Sequence, residues 1–225
     1  MVNKIVGAAY DFKAALDLAA AFAQSGLTVD VFNATAYRPS KAQAAVYNLE
    51  SFFLSPEEEY AAMRGLFESV PAETICFLKS DSSLRGNIGS ELRALMDGRG
   101  ERRLLFLPAL PSARKFTENG VQYQLKDGRK NVLADAKRLI GVFRDTPVAE
   151  REDDEGVRVA DCASEATFDC LVDEIARRSP IILAGTSALA GRLARALALP
   201  RQAAVSLDGK HGALLLDTLE WKEEI

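Results

Sequence analysis

The stretch Phe77–Asp97, "FLKSDSSLRGNIGSELRALMD", decides how this chain is read. Its entry is an apolar run, "TICFLK" at 74–79, rich in β-formers and of the length of a buried strand. Its exit, from Gly89 to Met96, has the apolar spacing of an amphipathic helix. Between them sit Lys79, Asp81, Ser82, Ser83, Arg85 and Asn87, with Gly86 and Gly89 interleaved. A connector that only turns the chain needs far fewer charges and hydroxyls. Strand, polar loop and helix in this order form one unit of an α/β sheet, whose ligands bind beyond the carboxyl ends of the strands.

The alternation continues outwards from this unit. Upstream, "NKIVGAA" (3–9), "LTVDVFN" (27–33) and "AAVYNLE" (44–50) read as strands. "KAALDLAAAFAQSG" (13–26) reads as a helix with Leu18 and Phe22 on one face and Gly26 as its stop. "SPEEEYAAMRGLFESV" (55–70) begins with Ser55 as N-cap, Pro56 at the first helical position and three glutamates in the first turn. Downstream, "RLLFLPAL" (103–110) is a strand ended by prolines, and "GVQYQLKDGRKNVL" (120–133) alternates around Asp127-Gly128 as a hairpin does. The acidic run "EREDDE" (150–155) reads as a solvated loop. Strands at 156–162 and 180–186 then alternate with helices at 164–178 and 187–199, Ser164 capping the first of these. The expected fold is α/β, a Rossmann-like three-layer αβα arrangement around a mostly parallel sheet with a β-hairpin insertion. A single domain spans 1–225, the insertion falling around 112–158.

Composition narrows the function. A net charge of −4 and a pI near 5.3, with no basic stripe, argue against nucleic acid as the main partner. No apolar run reaches the ~18 residues of a membrane span, and Asp11, Lys13 and Asp17 interrupt what would be a leader's apolar region. Cys76, Cys162 and Cys170 are odd in number and widely spaced, as in reduced, cytoplasmic proteins. His211 is the single histidine, too few for a His-based metal site, and no residue is assigned to a metal. "GTSALAG" (185–191) has Leu189 where a nucleophile elbow needs its second Gly. Neither a G-x-x-x-x-G-K-[ST] loop nor a G-x-G-x-x-G fingerprint is present.

Three loops sit at strand ends. In "KSDSSLRGN", Lys79 and Arg85 supply positive charge, the glycines let backbone N–H groups approach, and the helix beyond presents its positive end. Together these suit an anion, with Asp81, Ser82, Ser83 and Asn87 suited to ligand hydroxyls: the sum describes a small polyhydroxy acid. The alternative is a loop tied by its own ion pairs, with Asn87 capping the helix. In "AYDFKAALD", Asp11 contacts a hydroxyl or acts as a base, or else caps its helix. "SARKFTENG" offers Arg114, Thr117 and Asn119, or is simply a turn into the hairpin.

Taken together the loops resemble the four-carbon acid sugar kinase family. The family pattern K-x-D-S-T-L-R-G-N-x-G is matched by Lys79-Ser80-Asp81-Ser82-Ser83-Leu84-Arg85-Gly86-Asn87-Ile88-Gly89. A second element is similar at Pro108-Ala109-Leu110-Pro111 with Arg114, Thr117, Asn119 and Gly120, and a late strand-to-helix turn at Gly185-Thr186-Ser187-Ala188-Leu189. The resemblance implies ATP- and Mg²⁺-dependent phosphorylation of acids such as erythronate and threonate. Lys79 and Arg85 would hold the carboxylate, Asp81 and Ser82 hydroxyls, and Asp11 would lie near the reacting hydroxyl; Ser83, Asn87, Ser51 and Arg114 complete the implied binding set.

Departures accompany it. The family motif A-D-D-x-T-G-A-x-D reads here Ala9-Tyr10-Asp11-Phe12-Lys13-Ala14-Ala15-Leu16-Asp17, and a family Ser-Arg pair reads Ser51-Phe52. The carboxy-terminal nucleotide-binding domain that the family implies is not accommodated by the tail. The expectation is therefore a sugar-acid-binding half that phosphorylates only with a separate nucleotide-binding chain. The alternatives are a non-catalytic sugar-acid-binding or regulatory protein, or a degenerate interaction module. Self-association is a further expected contact.

Overall fold

The structure, a computed structural model, describes residues 4–178 and 181–197. The expectations for His211 and the tail lie outside them. Seven strands form one parallel sheet: β1 (Ile5–Ala9), β2 (Val29–Asn33), β3 (Ala44–Asn48), β4 (Ile75–Lys79), β5 (Arg103–Leu107), β9 (Gly156–Val159) and β10 (Ile182–Gly185), in the order β2-β3-β1-β4-β10-β5-β9. The central strands are buried on both faces, which is why β1 and β3 read as unbroken apolar runs instead of alternating. Register aligns their carboxyl ends: Ala9 pairs with both Asn48 and Lys79, and Lys79 with Gly185. The loops that follow β1, β3 and β4 therefore leave the sheet side by side.

The helices α1 (Phe12–Gln24), α2 (Pro56–Glu68), α3 (Ile88–Arg99), α4 (Ala136–Val142), α5 (Glu165–Arg178) and α6 (Ser187–Ala196) flank the sheet as two packed groups, α1 with α6 and α5, and α2 with α3 and α4. Leu18 and Phe22 of α1 are buried as their spacing required. The start of α2 is the expected one: Ser55 accepts from the Glu58 N–H while Glu58 reaches back to the Ser55 N–H, closing a capping box. Ser164 likewise accepts from the Thr167 N–H at 3.1 Å.

A small antiparallel sheet of β6 (Lys115–Glu118), β7 (Val121–Lys126) and β8 (Arg129–Asp135) forms the insertion. Its hairpin turns at Asp127 and Gly128, both with positive φ, the requirement that Asp-Gly meets. Residues 115–118, which read as a turn, are instead the first strand of this sheet. They are fixed to the main body by reciprocal backbone bonds between Thr117 and Cys162 of 3.0 and 2.8 Å. Among the described residues no helix is long and apolar enough to cross a membrane.

Candidate functional site

The side chains of the Lys79–Gly89 loop are folded largely onto one another. Asp81 is buried, and Arg85 holds it bidentately, Nη2 to Oδ2 at 2.7 Å and Nε to Oδ1 at 3.1 Å. The backbone N–H groups of Ser83 and Arg85 also donate to Asp81 Oδ1, at 2.9 and 3.2 Å. Burial, the largest single influence, raises the Asp81 pKa, but the Arg85 side chain and the two backbone N–H groups together hold it below the usual carboxylate range. The turn closes through Leu84 and Gly86, both at positive φ.

Lys79 is placed differently. Its ammonium is at the end of a central strand, the residue is 6% exposed, and Nζ donates to the Ser80 carbonyl at 2.8 Å. The ammonium also lies 5.5 Å from the centre of the Tyr10 ring. Among the described residues no carboxylate comes within ion-pair distance of it. Burial lowers its pKa, with Asp17, Asp81 and Glu91 opposing at longer range.

The neighbouring loops complete the edge. Asp11 caps α1, accepting from the Ala14 N–H at 2.6 Å. Tyr10 donates to Asp81 Oδ2 at 3.4 Å, and its ring stands 5.3 Å from that of Phe52. Phe52 in turn packs where a side chain on Gly86 would stand, its Cε2 3.5 Å from that position. Two departures from the family pattern thus meet as one aromatic pair beside the loop. Ser51 is fully buried and donates to Glu59 Oε1 at 2.7 Å. Asn87 stands at the N-cap of α3 without making a side-chain cap; its amide donates to the Leu54 carbonyl at 3.0 Å and so ties the loop after β3 to the loop after β4.

The small sheet contributes a cation that the sequence reading left out. Lys115 Nζ donates to Ser82 Oγ at 2.9 Å and to Ser83 Oγ at 2.7 Å. Burial depresses its pKa, and Asp81 pulls it back up. Gln122, fully buried, donates through Nε2 to the carbonyls of Ser82 and Pro108 at 2.9 and 3.1 Å and accepts from Thr117 Oγ1 at 2.6 Å. Arg114 is exposed with φ 54°, at the turn into β6. The structure therefore brings Lys79, Asp81, Ser82, Ser83 and Arg85 together with Tyr10 and Lys115. Ser51 is engaged in the protein beneath the loop, while Arg114 is exposed at the turn into β6.

An anion arriving at this edge meets a buried, unpaired ammonium, a second ammonium on two hydroxyls, a guanidinium shared with Asp81, and the first N–H groups of α3, which by helix geometry have no intrahelical acceptor. Among the described residues no group of three or more His, Cys, Asp or Glu could hold a metal ion.

Comparison with known proteins bears on this arrangement. Residues 6–138 match the family described as the sugar-binding N-terminal domain. D-threonate kinase of Salmonella typhimurium is 30% identical over 122 residues, 52% of this chain and 29% of the relative. A domain of unknown function from Bordetella bronchiseptica, solved with bound citrate as a domain-swapped dimer, superposes with a TM-score of 0.71 at 21% identity, covering 87% of this chain and 56% of that one. A Haemophilus influenzae protein of the same domain family gives 0.68 at 20% identity, covering 86% and 56%. The match thus spans under a third of the curated relative and little more than half of each solved neighbour.

Proposed function

The chain belongs to the sugar-binding N-terminal domain family, the N-terminal part of four-carbon acid sugar kinases, and from that we propose that it binds a four-carbon sugar acid of the threonate or erythronate type around Lys79. The observation that carries the reading is the Lys79 ammonium: buried at the carboxyl edge of the sheet, with one carbonyl and one aromatic face but, among the described residues, no carboxylate at ion-pair distance. A buried cation lacking an anion is costly, and a ligand carboxylate removes that cost. The hydroxyls of Ser82 and Ser83, oriented by Lys115, then face ligand hydroxyls, and the exposed side of Arg85 offers a second contact.

Phosphorylation of the bound acid by ATP we assign to this site working with a nucleotide-binding domain. One observation favours a second reading, a sugar-acid-binding protein without catalysis: the aspartates of the two loops are already engaged, Asp11 as a cap and Asp81 by Arg85.

The test is a calorimetric titration of the purified chain with threonate, erythronate and their phosphates, beside Lys79→Met. Loss of a hydrogen bond to a charged group is worth about 1.5–3 kcal/mol, so the variant should bind about 10- to 100-fold more weakly with its melting temperature unchanged or raised. Absence of saturable heat in the wild type, or equal affinity in the variant, overturns the reading. Phosphate transfer from ATP on adding a nucleotide-binding half decides between the catalytic and the non-catalytic form.

A further inference from the structure

Beneath the loop lies a feature that acid recognition does not use. Glu59 of α2 and Glu91 of α3 are each 1% exposed, and each carboxyl bears on the other's ionisation across the α2–α3 contact. Glu59 Oε1 accepts from Ser51 Oγ at 2.7 Å and Glu59 Oε2 from Ser90 Oγ at 3.4 Å. Glu91 Oε2 has no hydrogen-bond partner. The pair lies directly below the turn: a side chain on Gly86 would begin 3.9 Å from Glu91 Oε1. An ionised oxygen buried without a donor is far more costly than a neutral carboxyl in the same place. Two ionised carboxylates in contact there are costlier still.

We propose that Glu59 and Glu91 are positioning residues that share a single proton, carried on Glu91, and that this protonated pair clamps the loops after β3 and β4 together under the acid site. Glu91 serves as donor to Glu59, which also accepts from Ser51 of the β3 loop and, at longer distance, from Ser90 at the head of α3, whose hydroxyl donates at 2.9 Å to the Asn87 carbonyl as well; the Asn87 side chain further lowers the Glu59 pKa. Ser51 also donates its backbone N–H to the Tyr10 carbonyl at 2.7 Å, so the clamp reaches the β1 loop. The charged groups bearing on Glu91 are Glu59 from α2, Lys79 from β4 and Asp81 from its loop, while Tyr10 feels Glu91 from the loop after β1. Burial first, then the Glu59 charge, pushes Glu91 well above the usual carboxylate range. Burial raises Glu59 as well, against the Ser51 bond.

The sign of the pH effect follows. A carboxyl raised on folding stabilises the fold below its unfolded pKa, and that stability is lost as pH rises through the folded value. Loss of the proton also places a second negative charge near Lys79, which weakens its hold on an anion. The carboxyl pair stands on its own geometry; only its effect on ligand affinity rests on the acid-site reading.

The test begins without ligand. Carbon-13 spectra of the glutamate side-chain carboxyls are followed from about pH 4 to about pH 9, a range spanning the ordinary glutamate value and well beyond it. One resonance should keep its protonated shift after the surface glutamates have titrated; if every glutamate ionises in the ordinary range, the proposal fails. In parallel, the melting temperature of the wild type should fall as pH rises over that interval. Glu91→Gln, which keeps a donor to Glu59, should flatten the curve, whereas Glu59→Gln, which replaces one of the two accepting oxygens with a donor, should melt lower throughout. A Glu91→Gln curve parallel to wild type overturns the proposal. Threonate affinity should decline with pH in the wild type and hold in Glu91→Gln. Threonate that never binds refutes the acid site, while the spectra still decide the carboxyl pair.

Discussion

Asp81 is the residue on which the loop is built. It gathers two bonds from Arg85, two backbone N–H groups and a hydroxyl, and so fixes the turn that leaves Lys79 unpaired. Asp81→Asn keeps an acceptor for the backbone but not the paired charge. The Arg85 side chain is 71% exposed, so solvent screens the pair; we expect a loss of about 1–2 kcal/mol, measured by denaturant unfolding at neutral pH. Because folding lowers the Asp81 pKa, its stabilisation is present above the unfolded value and disappears as pH falls through the folded one. The variant and wild type should therefore converge in stability in acid, and a constant gap down to about pH 2 would count against this role. Charge density alone marked Lys79, Asp81 and Arg85 as a site. It did not say which cation stays free, because the Arg85–Asp81 pairing depends on the positive-φ turn between them. Lys115 was out of reach of a local reading, since it meets Ser82 and Ser83 only after the chain has crossed to the small sheet. Glu91 did carry a signal: it lies three residues after Ile88 and four before Leu95, on the buried stripe of its helix.

Among the elements, α3 is the one whose placement matters most, because its head carries the loop. Gly89 sits where α4 crosses it: a Cβ there would stand 2.7 Å from the Leu139 carbonyl oxygen and 2.9 Å from that of Ile140. Alanine in a helix is favoured over glycine by about 1 kcal/mol, but overpacking against backbone costs about 1–3 kcal/mol. Gly89→Ala should therefore lower stability despite its better propensity, and weaken threonate binding by moving the head of α3. A variant more stable than wild type would show that α4 yields at no cost. Here lies the divide in what the chain's pattern reveals about elements. The capping box at Ser55, the cap at Ser164, the Asp127-Gly128 hairpin and the parallel sheet are local chemistry or strong period, and each is legible from neighbours in sequence. The four residues of β6 and the seven of α4 are too short to show a period, and exist because Cys162, β7 and α3 are there to receive them.

At the scale of the molecule, the question is how a small antiparallel sheet is kept against the edge of a parallel one, since Lys115 reaches the site only if that docking is rigid. Gln122 supplies the joint. From the second position of β7 it spans three partners: the Ser82 carbonyl in the anion loop, the Pro108 carbonyl beyond β5, and the Thr117 hydroxyl of β6. All of this is enclosed, with Gln122 and Thr117 both fully buried. Gln122→Leu fills similar volume but leaves two carbonyls and a hydroxyl without their partner, and each buried group so orphaned costs about 1–3 kcal/mol. The expected loss is at least about 3 kcal/mol, near the upper end of what single substitutions do. Its distribution is the sharper test. If the small sheet is docked chiefly by this residue, hydrogen exchange should quicken in β6, β7 and β8 and in Ser82–Arg85, while the central strands β1, β3 and β4 keep their protection. Threonate affinity should fall with it, because Lys115 loses its place over the serines. Uniform acceleration through both sheets would instead mean that the two fold and unfold as one unit, with Gln122 a general core residue and the anion loop shaped by the main sheet alone.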